Sequence, residues 1–453
     1  MDKKEQLHKA IYGLEETLPE YSVRLWLNAK NRVYFLLIPL LFMIALIMAP
    51  QQVFLSLFFL LNCLYFITQI FKLLLLIIGA FASKAEENLA IPLRLPIYTI
   101  LLPIYHEDKI LENLIKAIEA IDYPSNLMDV KLLIEHDDDK ALYALKKIKL
   151  PDFFEVIQVP VAYPRTKPKA CNYGLQFAKG KYITVYDAED RPDPQQLKQI
   201  VAKCTISSPE VVCIQARLNY YNRQENYLTK LFALEYSLLF DYMLVGLKKL
   251  AMPIPLGGTS NHFIREKLVE LGGWDAFNVT EDADLGIRLH HRGYRTDLIA
   301  STTFEESPIN LQAWLMQRAR WIKGHVLTSL LHLKQSHKLK LKEILGISFC
   351  LYLPNMIYLL LPIYLVVSCF VIEIGKADLF WQLNLLLGII LPIAQSIFVI
   401  LAKKWHNMKS SIILVILYYW LLPVAGIRAC WQIFVSPFRW DKTEHGVSNF
   451  KEL

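Results

Sequence analysis

Two carboxylates separated by a single residue follow a short apolar run near the middle of the chain. Asp187 and Glu189 come directly after residues 182–186, which have the pattern of a buried strand. Carboxylates at a strand end can direct their oxygens at one hard cation, Mg²⁺ or Mn²⁺. Such a cation would keep open positions for the oxygens of a leaving diphosphate. The alternative is a polar turn in which Asp190 and Asp193 cap the next helix.

A second acidic group opens a predicted helix further along the chain. Thr280 has the position of an amino-terminal cap, and Glu281 and Asp282 occupy the first turn, where acids suit the helix dipole. Beyond this local role, Asp282 is a candidate general base for an acceptor hydroxyl. An upstream loop either admits a polar ligand close to its backbone or is a simple turn. It contains Gly258, Thr259 and Ser260.

Basic and aromatic residues complete the candidates. Lys167 and Lys169 precede a predicted helix, and a helix amino end and an ammonium group both favour phosphate. Gln317, Arg320 and Trp321 lie on one helix face, because the last two follow the first by three and four residues. Arginine can bind phosphate bidentately, and tryptophan can stack on a sugar ring. The alternatives are a solvated basic loop and an interfacial Trp–Arg pair.

These residues must be positioned by the part of the chain that has soluble character, residues 83–343. Short apolar runs alternate there with helical patterns. The predicted strands are 98–102, 130–134, 154–159, 182–186 and 211–215, and the predicted helices are 109–121, 140–148, 169–178 and 194–204. This alternation predicts an α/β fold with a mostly parallel sheet that binds ligands at its strand carboxyl ends. Later helical patterns cover 224–250 and 311–335, and we expect the second to run along a membrane interface.

Composition places this domain beside a membrane. The chain of 453 residues is 54% hydrophobic and 20% charged, and its apolar residues are concentrated in a few segments. They are residues 33–49, 54–82, 344–372, 379–402 and 410–436. A bilayer core needs about 20 apolar residues in a helix, so these segments predict transmembrane helices, with buried core helices as the alternative. No secretory signal is expected, because a mixed polar stretch precedes the first apolar run.

Charge and cysteine content argue against other classes of protein. The net charge of +7 is modest and the basic residues form no stripe, so no nucleic-acid partner is expected. The seven cysteines show no Cys-x-x-Cys spacing, which favours buried thiols in a reducing compartment over disulfides or zinc ligands. Basic residues before the first apolar run favour a cytoplasmic amino terminus.

Taken together, the motifs resemble those of processive, membrane-embedded family 2 glycosyltransferases. This group includes cellulose, chitin and hyaluronan synthases, and the likeness is greatest to bacterial exopolysaccharide synthases. It extends over residues 97–449. It implies a nucleotide-diphospho-sugar transferase (GT-A-like) domain flanked by transmembrane helices, a nucleotide-diphosphate sugar donor, specifically a UDP-sugar, and Mg²⁺ or Mn²⁺ as cofactor. It also implies a glycan or lipid-linked acceptor, with membrane lipids and accessory export subunits as further partners.

The resemblance assigns residues to the nucleotide. The first nucleotide-binding loop of the family, Pro-x-Tyr-x-Glu, corresponds to Pro103, Tyr105 and Glu107. The family usually has an Asp-Asp pair after its second strand, which reads the uracil base. Here the corresponding contact is either Glu135 or Asp137.

The diphosphate and its metal are assigned in the same way. Lys169 matches the family lysine before the helix that faces the diphosphate. Asp187 and Glu189 match the metal-binding Asp-x-Asp motif, with a longer Glu where the last Asp is usual. Residues 438–446 resemble a gating loop that closes over the nucleotide, with Lys442 as its donor contact.

On the acceptor side, Asp282 matches the catalytic base of the Thr-Glu-Asp motif, and Glu281 is expected beside the acceptor. Gln317, Arg320 and Trp321 match Gln-x-x-Arg-Trp, which cradles the diphosphate and the acceptor end. The loop that is similar to the family's loop beneath the acceptor sugar contains Gly258, Thr259 and Ser260.

The resemblance also divides the chain. The expected parts are a cytoplasmic segment (1–32), two transmembrane helices (33–82), a cytoplasmic glycosyltransferase domain (83–343), a transmembrane or interfacial block (344–436) and a gating-loop-like tail (437–453). Three spans after the domain would leave the tail outside the cell, away from the nucleotide. One segment is therefore expected to be interfacial or re-entrant, either 410–436 or 344–372.

The function implied is inverting transfer of a sugar from a nucleotide-diphosphate donor to a growing polysaccharide, coupled to membrane translocation. The expected location is the plasma (inner) membrane, as a multi-pass protein with its catalytic domain in the cytoplasm. One alternative is a non-processive glycosyltransferase that acts on a lipid acceptor. Another is a transporter with a degenerate glycosyltransferase domain.

Overall fold

The computed structural model describes residues 2–27, 31, 41, 44–45, 47–83, 89–373, 375 and 378–448. Every structural statement below concerns these residues. The first predicted transmembrane helix, 33–49, lies mostly outside them.

A mixed sheet of eight strands forms the centre of the described domain. Its strands are β1 (Tyr98–Ile104), β2 (Met128–Glu135), β3 (Phe154–Val159), β4 (Tyr182–Val185), β5 (Arg191–Pro192), β6 (Val211–Tyr220), β7 (Asn261–Ile264) and β8 (Arg295–Glu305). They lie in the order β3-β2-β1-β4-β7-β6-β8-β5. The predicted α/β fold is confirmed. The first four strands pair in parallel, whereas β7 is antiparallel to both of its neighbours.

Helices cover the sheet and continue into the apolar segments. In chain order they are α1 (Lys3–Thr17), α2 (Val23–Trp26), α3 (Pro50–Ala82), α4 (Leu111–Glu119), α5 (Asp139–Leu145), α6 (Lys167–Leu175), α7 (Gln196–Ile206), α8 (Tyr227–Ser237), α9 (Leu244–Lys249), α10 (Arg265–Glu270), α11 (Glu281–His291), α12 (Leu311–Leu333), α13 (Leu341–Ile347), α14 (Leu353–Glu373), α15 (Leu379–Ala402), α16 (Val415–Trp420) and α17 (Leu422–Val435). The predicted helix 224–250 is divided, because a π-helical turn at Leu238–Met243 joins α8 to α9.

Both faces of the sheet are buried, as a parallel arrangement requires. Ile100 and Leu102 of β1 pack on one face with α4, which buries its apolar residues at helical spacing. Leu101 points to the opposite face, where it packs in a cluster with α6 and α11. The α6 backbone lies so close to the sheet that a Cβ at Gly174 would meet Leu133 at 2.6 Å. This contact holds the carboxyl end of α6 closely against β2.

Three described helical segments are long and apolar enough to cross a membrane, namely Pro50–Ala82, Leu379–Ala402 and His406–Val435. The segment predicted at 344–372 is divided between α13, a π-helical turn and α14. Helix α17 packs against α12 through Ala425 and Ala429, which share a buried cluster with Ala319 and Ile322. The carboxyl-terminal apolar block therefore rests directly on a helix of the catalytic domain.

The amino-terminal segment also packs on this domain. Asn172 Nδ2 donates a hydrogen bond to the backbone oxygen of Ala10 at 3.0 Å. The Val23 amide donates to Asp275 Oδ2 at 2.8 Å. Asp275 belongs to the loop that leads into α11, so the amino-terminal helices support the element that carries Asp282.

Candidate active site

The end of β4 carries three carboxylates with different tasks. Asp190 closes the turn, because its Oδ2 accepts a hydrogen bond from the Asp187 amide at 2.8 Å and its carboxylate accepts another from the Thr259 hydroxyl. The same hydroxyl lies 3.0 Å from the backbone oxygen of Val185. Asp190 thus has the turn-forming role that was the alternative for this segment. Asp187 and Glu189 instead line a cavity.

Negative charge accumulates on this side of the cavity. Burial, together with repulsion from Asp187, raises the pKa of Glu189 well above its usual value. The pKa of Asp190 is raised for the same two reasons. Glu305, at the end of β8, has its pKa raised by burial and by the carboxylates at the end of β4. Asp190 Oδ1 is buried without a hydrogen-bond partner among the described residues. This side of the cavity is therefore short of positive charge.

The two candidate lysines before α6 point to different places. Lys167 Nζ lies 2.5 Å from Asp187 Oδ1 and donates to the Gly258 backbone oxygen at 2.7 Å. Lys169 is fully buried and pairs with Glu135 at 2.7 Å. Lys167 therefore contacts Asp187 in the cavity, whereas Lys169 forms a buried ion pair with Glu135.

The two candidates for the base-reading position are also separated. Glu135 lines the cavity, and burial raises its pKa although Lys169 opposes the shift. Asp137 lies outside the cavity lining and pairs with Arg165 NH2 at 2.7 Å. The geometry favours Glu135 over Asp137 as the residue that faces a ligand. Tyr105 lines the same part of the cavity.

The amino end of α11 brings its acids to the same cavity. Burial raises the pKa of Glu281 to about 8, with repulsion from Asp282 as the second cause. Burial also raises the pKa of Asp282, whereas the Ala283 amide, Lys167 and Arg320 oppose this shift. Asp282 is consequently a carboxylate of increased basicity that has Lys167 and Arg320 nearby.

The loop beneath Asp282 is held by its own hydroxyls. A Cβ at Gly258 would lie 3.5 Å from Asp282 Oδ2, so the backbone of this loop faces the acid. Ser260 has a φ of 53° and donates to Thr303 Oγ1 at 2.5 Å, away from the cavity lining. Gly258 and Thr259 line the cavity, whereas Ser260 shapes the loop.

Helix α12 presents the Gln-x-x-Arg-Trp face to the cavity, since Gln317, Arg320 and Trp321 all line it. Gln317 Oε1 is buried without a hydrogen-bond partner among the described residues. The Arg320 guanidinium lies 4.3 Å from the ring centre of Trp440. Trp321 stacks near Tyr236, with ring centres 6.2 Å apart. The helix thus offers an arginine, an amide and an aromatic platform in one place.

The carboxyl-terminal tail contributes Trp440, Lys442, Thr443 and His445 to the lining of the cavity. Lys442 Nζ lies 2.9 Å from Glu107 Oε1 and also donates to the backbone oxygen of Tyr105. His445 Nδ1 lies 3.3 Å from Glu189 Oε1. The tail therefore contacts both the loop after β1, through Tyr105 and Glu107, and the carboxylate of Glu189.

Glu306 anchors the end of this tail. Its carboxylate accepts hydrogen bonds from the amides of Gly446 (2.7 Å), Val447 (3.1 Å) and Ser448 (2.8 Å), and from the Tyr221 hydroxyl (2.9 Å). Sequence reasoning missed both Glu306 and Glu305. The available signal was an acidic pair after residues 295–304, but β8 itself was not predicted.

One cavity of about 700 Å³ unites these groups. Of the predicted site residues, Asp137, Lys169 and Ser260 lie outside its lining. Those that line it are Pro103, Tyr105, Glu107, Glu135, Asp187, Glu189, Gly258, Thr259, Glu281, Asp282, Gln317, Arg320, Trp321 and Lys442. The cavity continues between α3, α14, α15 and α16, where its wall is largely apolar.

The residues at the end of β4 fit a divalent cation. In the part of the chain that the structure describes, no three His, Cys, Asp or Glu side chains form a ready-made metal site. Asp187 and Glu189 nevertheless offer hard oxygen ligands in one cavity, and their mutual repulsion contributes to the raised pKa of Glu189. A cation bound between them, with phosphate oxygens as further ligands, would remove that repulsion.

An α/β sheet with carboxylates at the end of β4, an acid at a helix amino end and a facing Gln-x-x-Arg-Trp helix defines the class of glycosyltransferases. The family model described as glycosyl transferase family group 2 matches residues 182–436. The chain belongs to this family.

Individual relatives agree with this assignment. The probable glycosyltransferase YdaM of Bacillus subtilis is 25% identical over 384 residues, covering 80% of this chain and 89% of that protein. A beta-monoglucosyldiacylglycerol synthase of Nostoc sp. is 26% identical, covering 54% of this chain and 52% of that protein. A mannosyltransferase of Pyrobaculum calidifontis, solved with GDP-Man and Mn²⁺, has a TM-score of 0.55 at 18% identity, covering 82% of this chain and 99% of that one. This structure shares the fold.

Proposed function

We propose that the protein transfers a sugar, with inversion, from a nucleotide-diphosphate donor to an acceptor hydroxyl that is presented from the membrane. The observation that carries this proposal is the single cavity of about 700 Å³ that joins the β4 carboxylates and Asp282 to the apolar helices. A nucleotide sugar and an acceptor can occupy such a cavity end to end.

The donor side of the cavity would bind the nucleotide and its diphosphate. Tyr105, Glu107 and Glu135 surround the position proposed for the nucleoside, with Lys442 closing from the tail. Lys167, rather than the buried Lys169, is proposed to face the diphosphate, together with Arg320. A Mg²⁺ or Mn²⁺ ion held by Asp187 and Glu189 would supply Lewis-acid neutralisation of the leaving diphosphate.

The acceptor side would supply the base. The carboxylate of Asp282 accepts the proton of the acceptor hydroxyl. At the same time the hydroxyl oxygen bonds to the anomeric carbon of the donor sugar, and the bond between that carbon and the diphosphate oxygen breaks. Its raised pKa suits this role, because a more basic carboxylate takes the proton more readily. Trp321 would stack on the acceptor sugar, with Glu281 and the 258–259 backbone beside it.

The first candidate for the acceptor is a growing polysaccharide that leaves through the membrane helices. Polar side chains of Tyr65, Asn384 and Gln395 line the membrane part of the cavity and support this candidate. The second candidate is a lipid acceptor, which the apolar wall and a relative named for synthesis of a glycolipid support. The transporter alternative is not proposed, because the chain belongs to a glycosyltransferase family.

We place the protein in the plasma (inner) membrane as a multi-pass protein with its catalytic domain in the cytoplasm. Because the tail contacts Glu107 and Glu189, it must lie on the same side as the nucleotide. The packing of α17 on α12 supports an interfacial position for residues 406–435. A cysteine placed at Lys442 should resist a membrane-impermeant thiol reagent in sealed cells. Labelling from outside would contradict this topology.

The proposed reaction is tested by a donor screen with purified protein in lipid nanodiscs, read by released nucleoside diphosphate. At least one nucleotide sugar, with a UDP-sugar expected, should be turned over only when Mg²⁺ or Mn²⁺ is present. The length of the labelled product then separates the two acceptors, since a polysaccharide synthase gives long chains. Turnover of no donor would contradict the proposed function.

A further inference from the structure

A lysine occupies the membrane part of the cavity. Lys72 belongs to α3, a helix long and apolar enough to cross a membrane, and its side chain lines the cavity that reaches Asp282. Among the described lining residues that come from the apolar helices, it is the one charged side chain. Lys72 is half-buried there, and ionisable residues in such helices commonly pair with a partner or mark a ligand pathway.

The acids of this region are already neutralised by other cations. Glu235 pairs with Arg318 and accepts from the Tyr418 hydroxyl. Asp241 lies 2.7 Å from Lys403 Nζ and 3.4 Å from Arg217 NH1. Within the described part of the chain, Lys72 has no such ion pair. Its ammonium group is therefore available to an anion in the cavity.

The position of Lys72 along α3 matches the membrane surface. Just beyond it, a Cβ at Gly246 would meet the Leu75 backbone oxygen at 2.5 Å, and a Cβ at Gly79 would meet that of Tyr242 at 1.9 Å. This part of α3 is thus pressed against the π-helical turn and α9 of the catalytic domain. Leu75 follows Lys72 by less than one helical turn, and Gly79 follows it by about two turns. Lys72 thus lies near the point where the apolar helix meets the domain, and a helix that crosses the membrane up to this point would place Lys72 near the lipid phosphate groups.

Polar side chains line the cavity near the lysine and further along the apolar helices, where Asn384 Nδ2 donates to the Asn62 backbone oxygen. Tyr65, Thr68, Gln69 and Lys72 follow one another at helical spacing and all line the cavity. From α15, Asn384 is 1% exposed and Gln395 is 6% exposed. Asn384 Oδ1 and Gln395 Nε2 lack hydrogen-bond partners among the described residues, although both side chains line the cavity. Buried polar atoms of this kind are costly unless a ligand satisfies them.

The remaining wall of this region is hydrocarbon. It is formed by Leu61, Leu360, Leu361, Leu385 and Ile389. Apolar walls suit acyl or prenyl chains, whereas an acidic glycan would leave its hydroxyls without partners there. A lysine at the membrane surface inside an apolar cleft therefore selects a lipid that carries a phosphate.

We propose that Lys72, with the neighbouring polar side chains of Thr68 and Gln69, binds the phosphate of a lipid-linked acceptor and so places its terminal hydroxyl toward Asp282. This rests on the proposed function and narrows its acceptor to lipids that carry a phosphate, whether in a phospholipid headgroup or on a prenyl chain. The hydrocarbon would lie between the apolar helices, and the acceptor hydroxyl would point into the catalytic domain.

Calorimetric titration of the full-length protein in neutral detergent, without donor, tests this site. The probes are dihexanoyl phosphatidic acid and dihexanoylglycerol, which differ by one phosphate. We expect the wild-type protein to bind the phosphatidic acid at least about tenfold more tightly, as an added charge-assisted hydrogen bond predicts. Lys72→Gln should abolish this preference, whereas Lys72→Arg should keep it. Lys409→Gln changes an exposed lysine near the same membrane surface and should also keep it.

Several results would overturn the proposal. They are equal binding of both lipids by the wild-type protein, an undiminished preference in Lys72→Gln, and displacement of the phosphatidic acid by equal concentrations of inorganic phosphate or of a glucuronate oligosaccharide. If Lys72→Gln fails to fold, the wild-type comparison and the two displacement arms still decide. Because no donor is present, failure here is distinct from failure of the donor screen. If the protein transfers a sugar from its donor to a neutral acceptor, the proposed function stands and the lipid-phosphate site is contradicted.

Discussion

The donor side and the membrane side of the cavity differ in the balance of their acidic and basic side chains. On the donor side, acids outnumber the cations that reach them, and burial with mutual repulsion raises the pKa values of Glu189 and Glu305. On the membrane side, Glu235 is neutralised by Arg318, whereas Lys72 lines the cavity and has no ion-pair partner among the described residues. We propose that the donor side takes up a cation together with the diphosphate and that the membrane side takes up an anion.

Asp282 lies between the two sides, and its replacement should have the largest effect. Asp282→Asn keeps the shape of the side chain but cannot accept the hydroxyl proton, so turnover should fall by about 10²–10⁴-fold. The measurement is release of nucleoside diphosphate at saturating donor and acceptor. Asp152→Asn makes the same chemical change at an exposed position and should leave the rate unchanged. Near-normal turnover of Asp282→Asn would contradict the role of Asp282 as general base.

Asp187→Asn tests the donor side. Loss of one hard anionic ligand should raise the Mn²⁺ concentration needed for half-maximal activity by about 10–100-fold, the effect of one charged interaction. The measurement is a metal titration of the initial rate. Full activity of the wild-type protein in excess chelator would show that the carboxylates at the end of β4 serve another purpose.

Glu306→Gln tests whether the tail belongs to the donor side. The neutral amide is a poorer acceptor for the three tail amides, so the KM for donor should rise about tenfold, with a smaller change in kcat. Proteolysis of the tail should become faster. Glu444→Gln is the matched control, because Glu444 forms only an exposed pair with Lys109 and such pairs contribute little. Equal proteolysis of Glu306→Gln and the wild-type protein would contradict the anchoring role.

The smallest effect concerns pH. Glu281 has a pKa raised from 4.5 to about 8 in the folded protein, so it contributes stability that is fully present below pH 4.5 and lost as the pH rises through about 8. The thermal midpoint of Glu281→Gln, measured from pH 5 to pH 8, should therefore fall less steeply than that of the wild-type protein. Parallel curves would show that the charge of Glu281 does not destabilise the folded protein.

The fold was predictable where local pattern and burial agree. Strands β1 and β4 are largely apolar, β2 and β3 combine apolar residues with a few charged or polar ones, and the prediction located each of the four within a few residues. Strand β8 has an alternating burial pattern with polar residues, and β7 pairs antiparallel between distant segments, so neither has a strong local signal.

The candidate site was predictable in its acids but not in its contacts. The order of motifs indicated Asp187, Asp282 and Arg320, because their residue types and spacing carry the information. The choice between Lys167 and Lys169 depends on how α6 packs, since a rotation of about 200° separates residues two positions apart on a helix. The anchoring of the tail by Glu306 joins segments 140 residues apart in sequence and could not be read locally.

The most direct test compares donor binding by Asp282→Asn and Asp187→Asn, measured by calorimetry with Mn²⁺ and again with chelator. We expect Asp282→Asn to bind donor with wild-type affinity and chelator to weaken this binding. Asp187→Asn should bind weakly under both conditions. Loss of donor binding in Asp282→Asn, or metal-dependent wild-type affinity in Asp187→Asn, would contradict the division of the cavity into a cation-dependent donor side and an acceptor side that carries the base.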